Sequence, residues 1–364
     1  ERFGSRVVQI HSGMSDAARY RRWWEIHSGM VDVVLATRSG VFQDFSDLGL
    51  IVIDEEHDPS FKQQEGVRYH ARSVAVKRAQ LHDIPVVLGS ATPSLETCHN
   101  IDSGLYRHVR LAQRPGQGAL PQVFTVDLNR HKPDSGLAAS SVRALREVLE
   151  RGRQSLVFIN RRGYAPVLYC ADCQWSARCR RCDAQMTLHR PSRRLQCHHC
   201  GAQRPRPDCC DNCGSDNLIE LGEGTQKIEQ ALQEIFPEAR IQRFDRDELN
   251  TETRLQRAMQ AVHQGEVDIL VGTQLLSKGH DFSSVDLVLV INADQGLHSI
   301  DFRSPELMVQ QLIQVGGRAG RADAQGKVLI QTWLPQHPAF AAIVEHDYRQ
   351  FVEQELSIRQ QAGF

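Results

Sequence analysis

No run of apolar residues in this 364-residue chain approaches the ~18 that a membrane-spanning helix requires, so no helical span is expected. No charged-then-apolar leader opens it either, and nothing suggests export. The first residue is Glu1 rather than Met, and the opening stretch reads as the middle of a fold, so a fragment of a longer protein is expected. The pattern G-x-x-x-x-G-K-[ST], whose backbone amides and lysine cradle nucleotide phosphates, is absent throughout. Lysine and glutamate are missing from one whole segment: between Arg161 and Cys213 stand ten arginines and four aspartates. The local excess is +6 in a chain whose net charge is −1. An excess made only of guanidinium groups suits a surface that faces phosphate.

What is present describes an ordinary globular protein of two or three domains, 41% hydrophobic and 24% charged. Arg6 to Ile10, Asp32 to Ala36, Leu50 to Ile53 and Pro85 to Leu88 are short apolar runs that read as buried strands, with a helical segment from Ser15 to His27. Such runs separated by helices predict a parallel sheet covered on both faces. This first lobe is assigned to 1–112, and a Gly/Pro-rich stretch opens a linker assigned to 113–139. A second α/β lobe begins at 140–169 with Ser155 to Ile159. It resumes over 214–335 with Ile269 to Gly272, Leu287 to Ile291 and Lys327 to Gln331. Residues 170–213 interrupt it as a cysteine-rich, strand-poor insertion, and 336–364 begins a further, helical region.

Eight of the ten cysteines fall in C-x-x-C pairs: Cys170 and Cys173, Cys179 and Cys182, Cys197 and Cys200, Cys210 and Cys213. Each pair turns two thiolates toward one metal, so two pairs close a tetrahedral site and four pairs supply two zinc ions with no ligand left over. A nested arrangement follows naturally, with the inner pairs on one ion and the outer pairs on the other. Without a leader, zinc is a better reading than disulfides, and four redox dithiols so close together would be odd. Cys209 is a spectator or an alternative ligand, Cys98 a small buried residue. His189, His198 and His199 are expected to face solvent or phosphate.

Leu50 to Ile53 runs directly into Asp54, Glu55, Glu56 and His57. An apolar strand delivering carboxylates at its carboxyl end is a setting for nucleotide-bound Mg²⁺, with Asp54 on the metal and Glu55 orienting and deprotonating the attacking water. Pro85 to Leu88 ends in Gly89, Ser90, Ala91 and Thr92, a second strand tip with small hydroxyl residues. In QVGGRAGR, a helix would bring Gln314, Arg318 and Arg321 to one face, where permanently charged planar groups suit a γ-phosphate. Gly272 to Phe282 follows another strand tip, and its Thr273, Lys278 and Gly279 could hold a DNA phosphate or relay nucleotide state.

In this order, D-E-E-H, G-S-A-T-P, G-T-Q-x-x-x-K-G-H and Q-V-x-G-R-A-G-R resemble motifs II, III, V and VI of superfamily 2 helicases. With N-R-R-G-Y (Asn160 to Tyr164) immediately before the four C-x-x-C pairs, nearly the whole chain is similar to the PriA family of primosomal DNA helicases. The resemblance implies two RecA-like α/β lobes, the first truncated, with a double zinc-binding insertion in the second, and it favours the nested pairing. It implies ATP with Mg²⁺, 3′-to-5′ unwinding, recognition of stalled or abandoned forks, and primosome assembly. Forked and single-stranded DNA, primosome proteins, a replicative helicase loader and single-strand-binding protein are the partners implied, in the bacterial cytoplasm at the nucleoid. His57 and Gly279 join Asp54, Glu55, Arg318 and Arg321 in the implied nucleotide set.

The segment between motifs II and III resembles the family's aromatic-rich loop: Phe61, Lys62, Arg68 and Tyr69, with Gln63, Gln64, His70 and Arg72 around them. Aromatics stack on unpaired bases while basic neighbours meet the backbone. Arg161, Thr273 and Lys278 complete the implied nucleic-acid set. Gly316 stands where alanine is expected and Gln174 where glycine is common. The family's P-loop, its DNA 3′-end-binding domain and its C-terminal domain are absent from these residues, so the 364-residue chain alone is expected to be inactive. A non-enzymatic zinc module that binds nucleic acid, or another superfamily 2 translocase, is the alternative reading.

Overall fold

The computed structural model describes residues 6–111, 119–160, 167–173, 175–182, 186–189, 193–197, 200–221, 225–244, 249, 251–273, 276, 282, 284–299, 301–320 and 325–363. The chain divides into two compact units, Glu1–Tyr106 and Arg107–Phe364. No described helix is long and apolar enough to cross a membrane.

In the first unit, β1 (Val7–Ile10) leads through α1 (Asp16–His27) to β2 (Val33–Ala36), and the two strands pair in parallel. In the same way β3 (Ile51–Ile53) leads through α2 (Ala71–His82) to its parallel partner β4 (Val86–Leu88), and α3 (Leu95–Asp102) follows. Ser15 and Ser94 cap α1 and α3 by accepting from the N–H groups of Ala18 and Thr97. Ala71, Ala75 and Ala79 recur every fourth residue along α2 and are fully buried, a face small enough for close approach to β3 and β4. Burial is otherwise thin. The cluster under α1 is Val8, Ile10 and Ile26, and Val52 and Val87, opposite each other on β3 and β4, are 61% and 50% exposed. Among the described residues, the cover expected on both faces of these strands is present on one.

The second unit is built on six parallel strands in the order β12–β13–β6–β14–β15–β5. Its elements are β5 (Gln122–Asp127), α4 (Ala139–Glu150), β6 (Gln154–Ile159), α5 (Thr225–Ile235), β12 (Ile241–Phe244), α6 (Glu252–His263), β13 (Ile269–Gly272), β14 (Val285–Ile291), α7 (Ser304–Gly316), β15 (Lys327–Thr332), α8 (Pro338–Val344) and α9 (Tyr348–Gln361). Side chains alternate across the sheet. Leu156, Phe158, Val288 and Val290 pack under α6, α7 and α8, while Val157, Ile159, Leu287 and Leu289 pack under α4 and α5. Both faces are covered, which is why these strands read as unbroken apolar runs.

Two sequence expectations are corrected here. The segment read as a linker contains β5, which pairs with β15 along its full length as the edge of the sheet. Its neighbouring glycines and prolines masked a strand that is half exposed, Phe124 being 45% so. The insertion, read as poor in strands, holds three short ones that join two flanking it. β7 (Val167–Cys170), β8 (Thr187–His189), β9 (Arg194–Gln196), β10 (Gln203–Pro205) and β11 (Leu218–Leu221) form an antiparallel sheet in the order β10–β9–β8–β7–β11. Strands of three or four residues are too short to display a period of two.

The insertion is fastened to the sheet by that same alternation. On β7, Leu168 faces the insertion's own core with Ala177, Met186, Leu188 and Leu195, while the next residue, Tyr169, turns into the main sheet's core against Trp333. Paired to β7, β11 repeats the division with Leu218 and Ile219.

Candidate functional site

The carboxylates of motif II leave the end of β3. Asp54 is exposed and its Oδ1 accepts from the Glu55 N–H at 3.0 Å. Glu55 is held at φ +49°, in the left-handed region that a branched or long side chain seldom adopts, and its carboxylate is exposed. Such strain persists where surrounding bonds over-determine it. Here the next residue supplies them: Glu56 N–H donates to the Gly89 carbonyl (3.0 Å) at the tip of β4, and Gly89 N–H donates to Ile53 (2.8 Å). The His57 imidazole, with its side chain 5% exposed, shares a 2.6 Å hydrogen bond with Ser90 Oγ and lies 3.6 Å from Glu55. A direct bond therefore joins the tips of β3 and β4.

After His57 the chain makes a short helical turn, Pro59–Phe61, capped by Asp58, whose Oδ1 accepts from Ser60 N–H at 2.8 Å. Lys62 then pairs with His70, and Gln63 N–H donates to Tyr69 at 2.8 Å, closing the loop that carries exposed Arg68. Arg38 anchors its base, donating to the carbonyls of Ser60 (3.1 Å) and Lys62 (3.0 Å). Phe61 and Tyr69 are half-buried and Lys62 is exposed.

In the second unit, β13 ends at Gly272, where a Cβ would lie 2.4 Å from the Phe244 carbonyl. Thr273 follows it half-buried; Lys278 and Gly279 lie outside the described residues, as do Arg161, Gln174, His198 and His199. The helix expected to align Gln314, Arg318 and Arg321 does not reach that far. α7 stops at Gly316, and Gly317 N–H, Arg318 N–H and Ala319 N–H bond back to Ile313, Val315 and Gly316. Two consecutive glycines weaken a helix, and Gly320 at φ +73° then turns the chain away. Gln314 therefore lies in the last helical turn and Arg318 in the turn beyond, while Arg321 is outside the described residues. A methyl at Gly316 would meet Val328 at 3.6 Å, an ordinary contact, so packing does not demand the glycine.

All eight paired cysteines converge. Cys170, Cys173, Cys210 and Cys213 form one cluster and Cys179, Cys182, Cys197 and Cys200 the other, each with its sulfurs within 4.8 Å of one another. This is the nested pairing. The closest sulfurs are 3.5 to 3.6 Å apart, far beyond a disulfide bond of about 2.05 Å and close to the ~3.8 Å edge of a tetrahedron with ~2.3 Å zinc–sulfur bonds. The turns share one closure: Cys170, Cys197 and Cys210 each donate N–H to the carbonyl five residues on, at 2.7 to 2.8 Å. Gly201 and Gly214, both at φ +73°, make two of these turns possible. The Asn212 side-chain amide holds the Cys173 thiol down to about 6, and the Arg181 N–H holds Cys179 down to about 7. Within the outer cluster burial pushes the Cys210 thiol the other way, upward, and thiolates gathered at this spacing require a cation among them. Cys209 is exposed outside both clusters, and Cys98 is buried in α3.

Three family models match this chain: the DEAD/DEAH box helicase over 1–101, the helicase conserved C-terminal domain over 215–323, and the PriA DNA helicase Cys-rich region over 179–205. The replication restart protein PriA of Haemophilus influenzae is 42% identical across all of the chain and 50% of its own length. That of Bacillus subtilis is 41% identical across all of the chain and 46% of its own length. The chain is homologous to PriA from end to end. It spans about half the length of these curated relatives. A solved structure of RecG bound to a three-way DNA junction overlaps 96% of the chain and 36% of its own at 15% identity and a TM-score of 0.47, too loose a likeness to add to this. The first match falls in the first unit and the other two in the second, the Cys-rich region containing the inner cluster with the outer four cysteines flanking it, so the PriA homology fits a helicase fold of RecA-like type with two four-cysteine clusters.

Sequence reasoning missed the residue that holds this PriA-like motif II together. Glu56 is 1% exposed and accepts from Arg72 (2.6 Å), from Ser94 N–H (2.7 Å) and from Ser94 Oγ (3.1 Å). Arg72, grouped by sequence with the base-stacking loop, is turned inward to this ion pair, with its side chain 11% exposed. In a run of three carboxylates nothing marks the last one as buried, and a partner sixteen residues away leaves no periodic signal.

Proposed function

We propose that this chain is the motor portion of an ATP-dependent 3′-to-5′ DNA helicase that recognises stalled or abandoned replication forks and starts primosome assembly there. Asp54 holds the nucleotide's Mg²⁺, Glu55 orients and deprotonates the attacking water, and His57 with Ser90 carries the state of one strand tip to the other. Gln314, Arg318 and Arg321 meet phosphate charge. Phe61, Lys62, Arg68 and Tyr69 meet single-stranded DNA, and Arg161, Thr273 and Lys278 meet its backbone. Two Zn²⁺ ions fit the clusters by donor chemistry and spacing; they would supply folding energy rather than reactivity, since four thiolates leave no open position. Residues 1–364 alone, lacking the phosphate-cradling pattern, would not carry the reaction. Primosome proteins, a helicase loader and single-strand-binding protein are proposed as partners, in the bacterial cytoplasm.

The observation that carries this reading is Glu55, an exposed carboxylate kept in strained backbone beside a buried histidine at the tip of a parallel strand. The test is steady-state ATP hydrolysis by a full-length protein carrying this sequence, with and without single-stranded DNA. A rate that rises on adding DNA is expected. A rate indifferent to DNA would remove the assignment of the loop after His57.

A further inference from the structure

The two four-cysteine clusters are nested in the chain, and one arginine reaches from one to the other. Cys197 and Cys200 stand at the tip of the β9–β10 hairpin, whose strands pair Leu195 with Arg204. The Cys197 N–H closes that tip by donating to the Ala202 carbonyl (2.8 Å), with Gly201 in the left-handed region. An ion on Cys179, Cys182, Cys197 and Cys200 would therefore pin the hairpin that carries Arg204. The Arg204 side chain leaves its hairpin for the outer cluster and meets both halves of it. Its Nη1 pairs with Asp211, which lies between the ligands Cys210 and Cys213, and its guanidinium lies 5.8 Å over the Trp175 ring. Trp175 closes the other outer turn, its carbonyl accepting from the Cys170 N–H at 2.7 Å. The ion pair is partly sheltered, with side chains 21% and 32% exposed. Asp211 is followed by Asn212, whose amide donates across the cluster to Cys173 Sγ at 3.5 Å. A planar guanidinium suits this place, since its edge meets a carboxylate while its face covers an aromatic ring.

We infer that Arg204 couples the two metal sites, so that filling the inner four-cysteine site tightens the outer one. The inference rests on the two-zinc reading and adds to it a positioning residue that is not itself a ligand. Arg204 holds together the two outer turns that must converge on one metal, and its own mount is held by the ligands of the other. Groups that orient metal ligands without touching the metal are worth about 10- to 100-fold in affinity. The outer cluster also has a clasp of its own. Asp172, beside Cys173, accepts from Ser215 Oγ and from the Asn217 amide (2.8 Å), so the outer site persists, more weakly, without Arg204. By linkage the tightening is reciprocal.

The experiment uses a full-length protein carrying this sequence, loaded with zinc and titrated with a chelator of known zinc affinity. Freed thiols are trapped with iodoacetamide and located by peptide mass mapping, which tells the outer four cysteines from the inner four. Arg204→Ala should weaken the outer zinc about 10- to 100-fold, while Arg204→Lys, which keeps a charge for Asp211, recovers part of the loss. Cys197→Ser, which empties the inner site, should weaken the outer zinc as well. The double variant Cys197→Ser/Arg204→Ala should lose no more than Cys197→Ser alone, because the arginine acts only when its hairpin is pinned. Unchanged outer affinity in Arg204→Ala, or losses that add in the double variant, would overturn the coupling and leave the two-zinc reading standing. Wild-type protein that binds fewer than two ions would overturn both.

Discussion

Glu55→Gln in a full-length protein carrying this sequence leaves ATP binding intact and slows hydrolysis about 10²- to 10⁴-fold, the span attributed to one positioned general base. The amide keeps the shape of the side chain and leaves Asp54 to hold the metal, so loss falls on turnover rather than on nucleotide affinity. The neighbouring glutamate provides the contrast. Glu56→Ala removes the buried partner of Arg72 and leaves its guanidinium the longer 3.6 Å pair with Glu96, a change costing up to about 3–5 kcal/mol. It should lower the melting temperature of the first unit, whereas Glu55→Gln, at an exposed side chain in strained backbone, should not lower it. Single-turnover hydrolysis, nucleotide titration and thermal melting separate the two. Wild-type turnover in Glu55→Gln would show that the base lies elsewhere.

Cys197→Ser reduces bound zinc from two equivalents to one and unfolds the inner half of the insertion. Structural four-thiolate sites contribute about 10–16 kcal/mol of apparent folding energy near neutral pH, more than the small core of Leu168, Ala177, Met186, Leu188 and Leu195 can replace. The main sheet should survive, because Val157, Ile159, Leu287 and Leu289 draw their cover from α4 and α5 rather than from the insertion. Metal analysis with limited proteolysis checks both statements. One equivalent in wild type, or disulfides mapped within either cluster, would refute the two-ion assignment.

The parts that were legible in the sequence are those whose physics is local. Four C-x-x-C turns announce a metal whatever surrounds them, and β6, β13 and β14 are apolar on both faces because helices cover both. The acidic residues after β3 were legible as a strand tip. What escaped depends on distant partners. β5 acquires its identity only by pairing with β15, two hundred residues later in the chain. The end of α7 is decided by how two adjacent glycines balance against helix packing, which a heptad-like spacing of Gln314, Arg318 and Arg321 does not weigh. Glu56 and Arg72 look like surface charges until the fold buries them together.

Strand displacement by the full-length protein tests the central claim most directly. Two partial duplexes, one with a 3′ single-stranded tail and one with a 5′ tail, are incubated with ATP and Mg²⁺. ATP-dependent displacement from the 3′-tailed duplex, abolished by Glu55→Gln and absent with a non-hydrolysable nucleotide, is the predicted result. Displacement that proceeds equally without ATP, or only from the 5′-tailed duplex, would contradict the account.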